Sequence, residues 1–346
     1  MSKVNIKVLA DQLQLSVSTI SKALRDSYEI SEETKKKVME LATRLNYVPN
    51  PYASSLRRKK SKTIAVVLPE VADNFFSLAI NGIQSIAETK GYHVLIYLSH
   101  EKFANERTIL EDCQSGRVDG VLISISSETN TAEHINRLQD NNIPVVFFDR
   151  EQEGIDTARV TTNDFECGYL AAAHLLARGC HNPSFLSISE SLPICLNRME
   201  GFKAALKEAG IPKNDSQVVY CTDNDSMYTQ IKNLLQSDNR PDGLIASVEK
   251  IVTPVYLVCH ELKINIPDEI KVIAFATLDT APILDPPLTT ITQPAFEIGK
   301  AAATLLFKGI EKSTFDLKKE SMVIPSVLIE RKSTGQPSDS AQGSKY

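Results

Sequence analysis

Apolar residues recur at helical spacing up to about residue 46. Beyond residue 62 they fall in short runs alternating with helical stretches. Ile6, Leu9, Ala10 and Leu13 stand at i, i+3, i+4 and i+7, the stripe of a first helix, with Asn5 before it as an N-cap. Ser16 caps a second helix: Val17, Ile20 and Leu24 share a face, with Ala23 beside them. Ser31 caps a third, with Glu32 and Glu33 in the first turn, where the helix dipole favours anions. Its stripe is Val38, Leu41, Ala42 and Leu45. Only Gln14 and Leu15 separate the first two helices, so the pair reads as a helix-turn-helix. Three short helices with matching stripes can share one small core over residues 1–46. The outward face of the second helix carries Ser18, Thr19, Ser21, Lys22 and Arg25, without a carboxylate. That face suits phosphates and base-edge acceptors, and equally suits solvent.

Pro49 and Pro51 forbid continuation of the third helix. Pro51 suits the first turn of a new short helix over 51–57, with Asn50 as its cap. Arg57, Arg58, Lys59, Lys60 and Lys62 follow. This stretch, 47–61, reads as a hinge or a charged linker. The small residues Ala53, Ser54 and Ser55, followed by Leu56, favour the hinge.

From 62 to 335 the pattern changes. Candidate strands lie at 63–68, 93–98, 120–124, 145–148, 183–188, 218–221, 243–246 and 272–275. Helical patterns lie between them, for example at 76–89, 169–178, 199–209, 227–235 and 296–307. Such alternation argues for parallel, doubly wound sheets, and eight strands with crossovers fit two lobes better than one. The late segments 289–292 and 322–329 would cross back between lobes. The expected division is a first lobe of about 62–161 and 293–321 and a second of about 162–292 and 322–335. A tail, 336–346, is rich in Ser, Gly and Gln.

Charge sharpens this division. The net formal charge of the 346 residues is −5. Residues 1–62 hold 13 Lys and Arg against 6 Asp and Glu, and the rest hold 25 against 37. A basic head on an acidic body points to a head that meets a polyanion. With 42% hydrophobic and 23% charged residues, the chain has the composition of a soluble globular protein. No apolar run reaches the roughly eighteen residues that a membrane helix needs. The N-terminal stretch has no apolar segment of signal-peptide length, so a cytoplasmic location is expected. Cys113, Cys167, Cys180, Cys195, Cys221 and Cys259 have neither CxxC spacing nor zinc-finger partners. They read as buried or free thiols in a reducing compartment, with no metal and no cofactor.

The run from Asn5 to Glu70 carries a clear resemblance. Its pieces "LSVSTISKAL", "ISEET", "LNYVPNPYASSLR" and "KTIAVVLP" resemble, in order and spacing, the lactose-repressor/galactose-repressor (LacI/GalR) family of bacterial transcription regulators. The resemblance extends to about Arg331. It implies an all-α helix-turn-helix head and a two-lobed body like the periplasmic sugar-binding proteins. The second helix would then lie in the DNA major groove. It implies that Val17, Ser18 and Lys22 read bases and that Asn5, Thr19, Ser21 and Thr34 hold phosphates; Val17 also suits core packing. Ser16, Arg25 and Arg57 complete the DNA-contacting set, with Tyr28 as a further candidate for the backbone. The resemblance also implies a hinge helix in the minor groove, paired with its twin, with Leu56 wedged between base steps. One departure lies at Gln14, where the family usually has Gly in the turn. If φ stays positive there, the cost is on the order of 1 kcal/mol.

Ligands of open α/β sheets bind at the carboxyl ends of strands. Here those ends carry Asn74, Phe75 and Phe76, then Ser126, Asp149 and Arg150, and later Glu249 and Ala276. "VVFFDR" and "NRMEGFKAAL" resemble family motifs, and they imply effector contacts at Phe76, Ser126, Asp149, Arg150 and Arg198. An aromatic face with an arginine and a carboxylate suits a sugar or another polyhydroxylated molecule. Phe75 suits core packing as well, and Arg198 a surface ion pair. Many family members have an acidic residue where Ala276 stands. Leu192, Pro193 and Ile194 also replace positions that are often polar, so the pocket is expected to be less sugar-like than usual.

Enzyme chemistry finds little support. The chain has no GxGxxG, no GxxxxGK[ST], no HExxH and no GxSxG. His174 and His181 read as helix-end and surface residues. The pairs Glu32/Glu33 and Asp223/Asp225 read as a helix start and a loop. The expected function is a ligand-responsive transcriptional regulator, a repressor by resemblance, that binds double-stranded operator DNA. With no leucine heptads in the tail, it is expected to be a homodimer. The rival reading is a solute-binding protein of the same fold without a DNA role. The effector and the operator are not named by the sequence.

Overall fold

Side-chain caps decide where the first three helices begin. In the computed structural model, which describes residues 4–47, 60–212, 218–222, 224–312 and 314–335, α1 (Ile6–Leu13) starts where Asn5 Oδ1 accepts the N–H groups of Lys7 and Val8. α2 (Val17–Ala23) starts where Ser16 Oγ accepts the Thr19 N–H at 3.0 Å. α3 (Glu32–Arg44) starts at Ser31, which accepts from Thr34. Leu9, Ala10, Ile20, Ala23, Val38, Leu41 and Ala42 form their common buried core. Gln14, closing α1, has φ 50 and ψ 40, so the turn does keep the left-handed conformation. Gln14→Gly is expected to stabilise the head by up to about 1 kcal/mol. Slower hydrogen exchange of the α1 and α2 amides in the full chain would report it. The hinge helix expected at 51–57, with Asn50, Leu56 and Arg57, lies outside the described residues.

The described residues fall into two compact units, one ending at Ser61 and the other beginning at Lys62. The second unit contains two six-stranded sheets. The first sheet uses β1 (Thr63–Leu68), β2 (His93–Leu98), β3 (Val121–Ile123), β4 (Val145–Phe148), β5 (Arg159–Thr161) and β11 (Ser321–Val323). The second uses β6 (Pro183–Ser187), β7 (Val218–Tyr220), β8 (Gly243–Ala246), β9 (Lys271–Phe275), β10 (Thr289–Thr292) and β12 (Val327–Ile329). Their orders are β11-β5-β4-β3-β1-β2 and β12-β10-β9-β8-β6-β7. Every pairing is parallel except β10 with β12, so the second sheet is mixed rather than fully parallel. The cause is the last crossing: the chain returns from the first sheet and can only run back along the edge.

Central strands are apolar on both faces because helices cover both. In β1, Ile64, Val66 and Leu68 pack into one layer, and Ala65 and Val67 into the other. The first layer includes α4 (Asn74–Thr89) and α11 (Ala295–Glu311); the other includes α5 (Phe103–Cys113) and α6 (Glu133–Asp140). The second sheet is covered by α7 (Asp164–Ala177) and α8 (Pro193–Glu208) on one face, and by α9 (Asn224–Gln236) and α10 (Val252–Leu262) on the other.

Four sequence expectations change. The segment 322–329 is two strands in different sheets, so Met322 and Val323 belong to the first lobe rather than the second. Residues 324–326 form the crossing. β5 was not anticipated, being only three residues long. His174 is no surface residue: it is buried, with Nε2 3.0 Å from Thr334 Oγ1. His181 is exposed, as expected. Asp223 lies outside the described residues, and Asp225 falls within α9 rather than in a loop. All six cysteines are buried free thiols. Burial pushes them up, Cys113 and Cys180 to about 12, which makes them poor nucleophiles.

Candidate functional site

Two surfaces bring together residues singled out by the sequence. The first is the outward face of α2. Ser16, Ser18 and Arg25 are exposed, and Val17 is 38% exposed, so Val17 is not core. Ser16 Oγ lies 2.7 Å from Ser18 Oγ and 2.8 Å from Thr19 Oγ1. Arg25 reaches back along α2, donating from Nε to the Ser21 carbonyl at 2.8 Å and from Nη2 to Ser21 Oγ at 2.6 Å. Thr34 Oγ1 is 2.9 Å from Ser31 Oγ at the start of α3. Tyr28 is almost fully exposed. Lys22 is held by Glu29, a partner the sequence pattern did not reveal. Both side chains are close to half exposed, so the pair is weak and can be exchanged for another anion.

The second surface is a cavity at the carboxyl ends of the strands, open to solvent, with about 330 Å³ of non-atom space when the open solvent at its mouth is included. Asp73 caps α4 and Phe75 and Phe76 lie in its first turn, Asp149 and Arg150 follow β4, and Gln293 follows β10. The second lobe supplies Ile194 at the start of α8, Val248 and Glu249 after β8, and Phe275, Ala276 and Thr277 at the end of β9. Of the expected effector contacts, Phe75, Phe76, Asp149, Arg150, Glu249 and Ala276 therefore meet around one space. Phe75 does both things proposed for it: it is only 6% exposed and still lines the cavity.

Ser126 and Arg198 do not line it. Ser126 is drawn into a buried cluster around Glu106. The carboxylate accepts the Ser126 N–H at 2.6 Å and Thr129 Oγ1–H at 2.8 Å, and meets His134 Nε2 at 2.7 Å. Arg198 is 1% exposed, so the surface ion pair is corrected to a buried one. Its Nε donates to Asp164 at 2.7 Å and its Nη1 to the Ser247 carbonyl at 2.6 Å. Its guanidinium lies 4.2 Å from the Phe275 ring centre.

Asp73, Ile194, Val248, Phe275, Thr277 and Gln293 escaped the sequence reading. Most follow directly from a strand end, and that position was the available signal. Ile194 was flagged only as an apolar departure.

Burial pushes the Asp149 carboxyl up to about 6, against the pull of Arg150 and Arg198. Burial also raises Asp73 and Glu249. Burial raises Glu101 as well, but Arg150 and the Ser127 N–H outweigh it and hold Glu101 below the usual carboxylate range. Arg150 Nη1 stands 2.9 Å from both oxygens of Glu101. Glu249 bridges the lobes, accepting the Asn74 N–H at 3.2 Å and the Thr277 N–H at 2.8 Å. Asn74 Nδ2 donates back to the Thr277 carbonyl.

Comparison with known proteins gives two family matches. Residues 5–50 match the model of bacterial regulatory proteins, lacI family. Residues 61–334 match that of periplasmic binding proteins and the sugar-binding domain of the LacI family. The chain is 28% identical over 315 residues to catabolite control protein A of Priestia megaterium, covering 90% of this chain and 94% of that protein. It is 28% identical over 339 residues to the ribose operon repressor of Halalkalibacterium halodurans, covering 97% and 99%. Among solved structures it resembles a LacI family regulator from Enterococcus faecium with bound ribose (27% identity, TM-score 0.71, 80% of this chain and 100% of that one). The lac repressor dimer bound to operator shares the fold (20% identity, TM-score 0.83, 97% and 100%).

Proposed function

Because the chain belongs to the LacI family of bacterial regulatory proteins, we propose that it is a homodimeric repressor whose affinity for a pseudo-palindromic operator is set by a sugar in the body's cavity. The observation that carries this is the pairing, in one chain, of a capped basic helix-turn-helix with a two-lobed body whose cavity is bridged by Glu249. Val17, Ser18 and Lys22 are the base readers. Asn5, Ser16, Thr19, Ser21, Arg25 and Thr34 hold the backbone, and Leu56 and Arg57 act at the operator centre. Its place of action is the cytoplasm, and no catalysis is assigned to it.

Two observations support the reading. The relatives named above include repressors, one of them of a ribose operon, and a neighbour at 27% identity holds ribose. The edge strand β2 leaves Leu95 and Ile96 about two-fifths exposed. An uncovered apolar edge is what a second copy would bury.

The test is fluorescence anisotropy with labelled duplex DNA from upstream of the neighbouring genes, at about 50 and 200 mM salt. Sequence-preferring binding that weakens by several orders of magnitude across that range is expected. Binding without sequence preference would sink the proposal, and no binding at either salt would sink it in favour of a solute-binding protein.

Lys22→Ala should lose about 1–3 kcal/mol of discrimination at one base pair, so that a single-base operator variant binds nearly as well as the parent. Glu29→Gln, which frees Lys22, should strengthen binding to all sequences by a few-fold. Unchanged discrimination in the Lys22 variant would remove it from the base readers.

A further inference from the structure

The cavity carries more negative than positive charge, and its polar atoms are incompletely matched. Asp73, Asp149 and Glu249 line it, against the single lining cation Arg150. Arg150 cannot balance them, since Glu101 holds its Nη1. Arg198 beneath is committed to Asp164. Lys250 also acts on Asp73 and Glu101, but Glu70 acts on Asp73 and Asp279 on Glu249, so the surplus stays negative.

The carboxylates differ in what they still lack. Glu249 has both oxygens engaged by N–H groups. Asp73 has one oxygen on the Phe75 N–H. Asp149 is 7% exposed, yet among the described residues nothing donates a hydrogen bond to its carboxylate, and Arg150 Nε stands 3.8 Å away. Its backbone has φ 62, which turns the residue after β4 into the left-handed region. Strain of this kind gathers at functional positions. On residues that line the cavity, Arg150 Nε and Gln293 Nε2 are buried donors without acceptors. Both residues are more than nine-tenths buried. Such groups are costly unless a ligand completes them.

A hydroxyl can accept from Arg150 Nε and Gln293 Nε2. A neutral ligand, however, takes water away from Asp149 and returns no charge, although burial already pushes that carboxyl up to about 6. A phosphate adds like charge. An ammonium reverses the sign. Resting on the sugar reading of this cavity, we propose that the effector is an amino sugar. Its hydroxyls accept from Arg150 and Gln293, and its ammonium faces Asp149 and Asp73. Phe75 and Phe76 supply the apolar wall.

Calorimetry with the full chain at pH 7 tests this. The probes are D-glucosamine, D-galactosamine and D-mannosamine, each against its parent hexose and the hexose 6-phosphate, with D-ribose as a further neutral sugar. At least one amino sugar should bind ten-fold or more tightly than its parent, and the phosphates should give no heat. Asp149→Asn should reduce the preference for the amine to less than three-fold. Asp73→Asn, already partly satisfied by Phe75, is the second variant should the first not fold, and it should weaken the preference in the same direction. A neutral sugar or phosphate binding as tightly as any amine overturns the charge inference and leaves the sugar reading standing. Heat from none of the probes overturns both. An amine preference unchanged in both variants overturns the assigned seat.

Discussion

Arg198→Met lowers the stability of the body by about 3–5 kcal/mol, read as a shift of the urea midpoint at constant slope. The cost comes from what is left behind. Arg198 and Asp164 are 1% and 6% exposed, so the substitution leaves a carboxylate in the interior without its cation. Thr162 Oγ1 still donates to Asp164 at 3.0 Å, which is too little to replace a charge. The Ser247 carbonyl loses its donor as well. Replacing both partners, as Arg198→Met with Asp164→Leu, should recover at least half of the loss, because an apolar pair removes the orphaned charge. A single variant as stable as the parent would mean that Asp164 is solvated or neutral in the folded body.

Gly82→Ala is the second large effect, expected at about 3 kcal/mol or more, above the usual range for overpacking. A Cβ on Gly82 would sit 2.1 Å from the Phe296 carbonyl oxygen and 2.9 Å from the Lys300 nitrogen. Those are backbone atoms, so α4 and α11 must separate. Across the contact, a Cβ on Gly299 would meet the Ala79 carbonyl oxygen at 2.0 Å, so the close approach is reciprocal. The first turns of α4 carry Phe75 and Phe76, and Gln293 lies just before α11. Ligand affinity should therefore fall together with stability. Gly91→Ala is the control: φ is +65 with nothing within 4 Å, so only conformational strain of about 1–2 kcal/mol is expected and ligand binding should persist. Calorimetry and urea unfolding on the two variants separate the cases. Equal losses in both would mean that the α4–α11 contact gives way at little cost. The second lobe repeats the device, with Gly168 against the Arg198 carbonyl and Gly201 against that of Phe165.

The two surfaces were legible to different degrees. On the head, the caps Asn5, Ser16 and Ser31 and the stripes of α1 to α3 were readable because a short helix is decided by residues within four positions of one another. The pairing of Lys22 with Glu29 was not, since it depends on how the chain turns after α2. In the body, Phe76, Asp149, Arg150, Glu249 and Ala276 were found by a positional rule, the carboxyl end of a strand. The same rule would have reached Thr277 and Gln293 had it been applied to every strand.

Ser126 shows where that rule stops. It follows β3 as expected, but Glu106, twenty residues earlier in the chain, takes its N–H and turns it from the cavity. Arg198 lies on the motif NRMEGFKAAL, yet Asp164, thirty-four residues away, draws it into the interior.

Local pattern alone determined that this chain has a basic three-helix head, a body of alternating strands and helices, and a row of polar and aromatic residues after the strands. These follow from side-chain period, caps and charge, which act over a few residues. Only the tertiary structure decided which strand ends become neighbours. It placed Met322 with β5 and Val327 with β10, and it committed Arg198 and Glu101 to buried partners. As a result, Asp149 faces the cavity with a charge that no described residue fully answers. Such pairings are set by packing and desolvation across tens to hundreds of residues. A one-dimensional pattern carries no record of either.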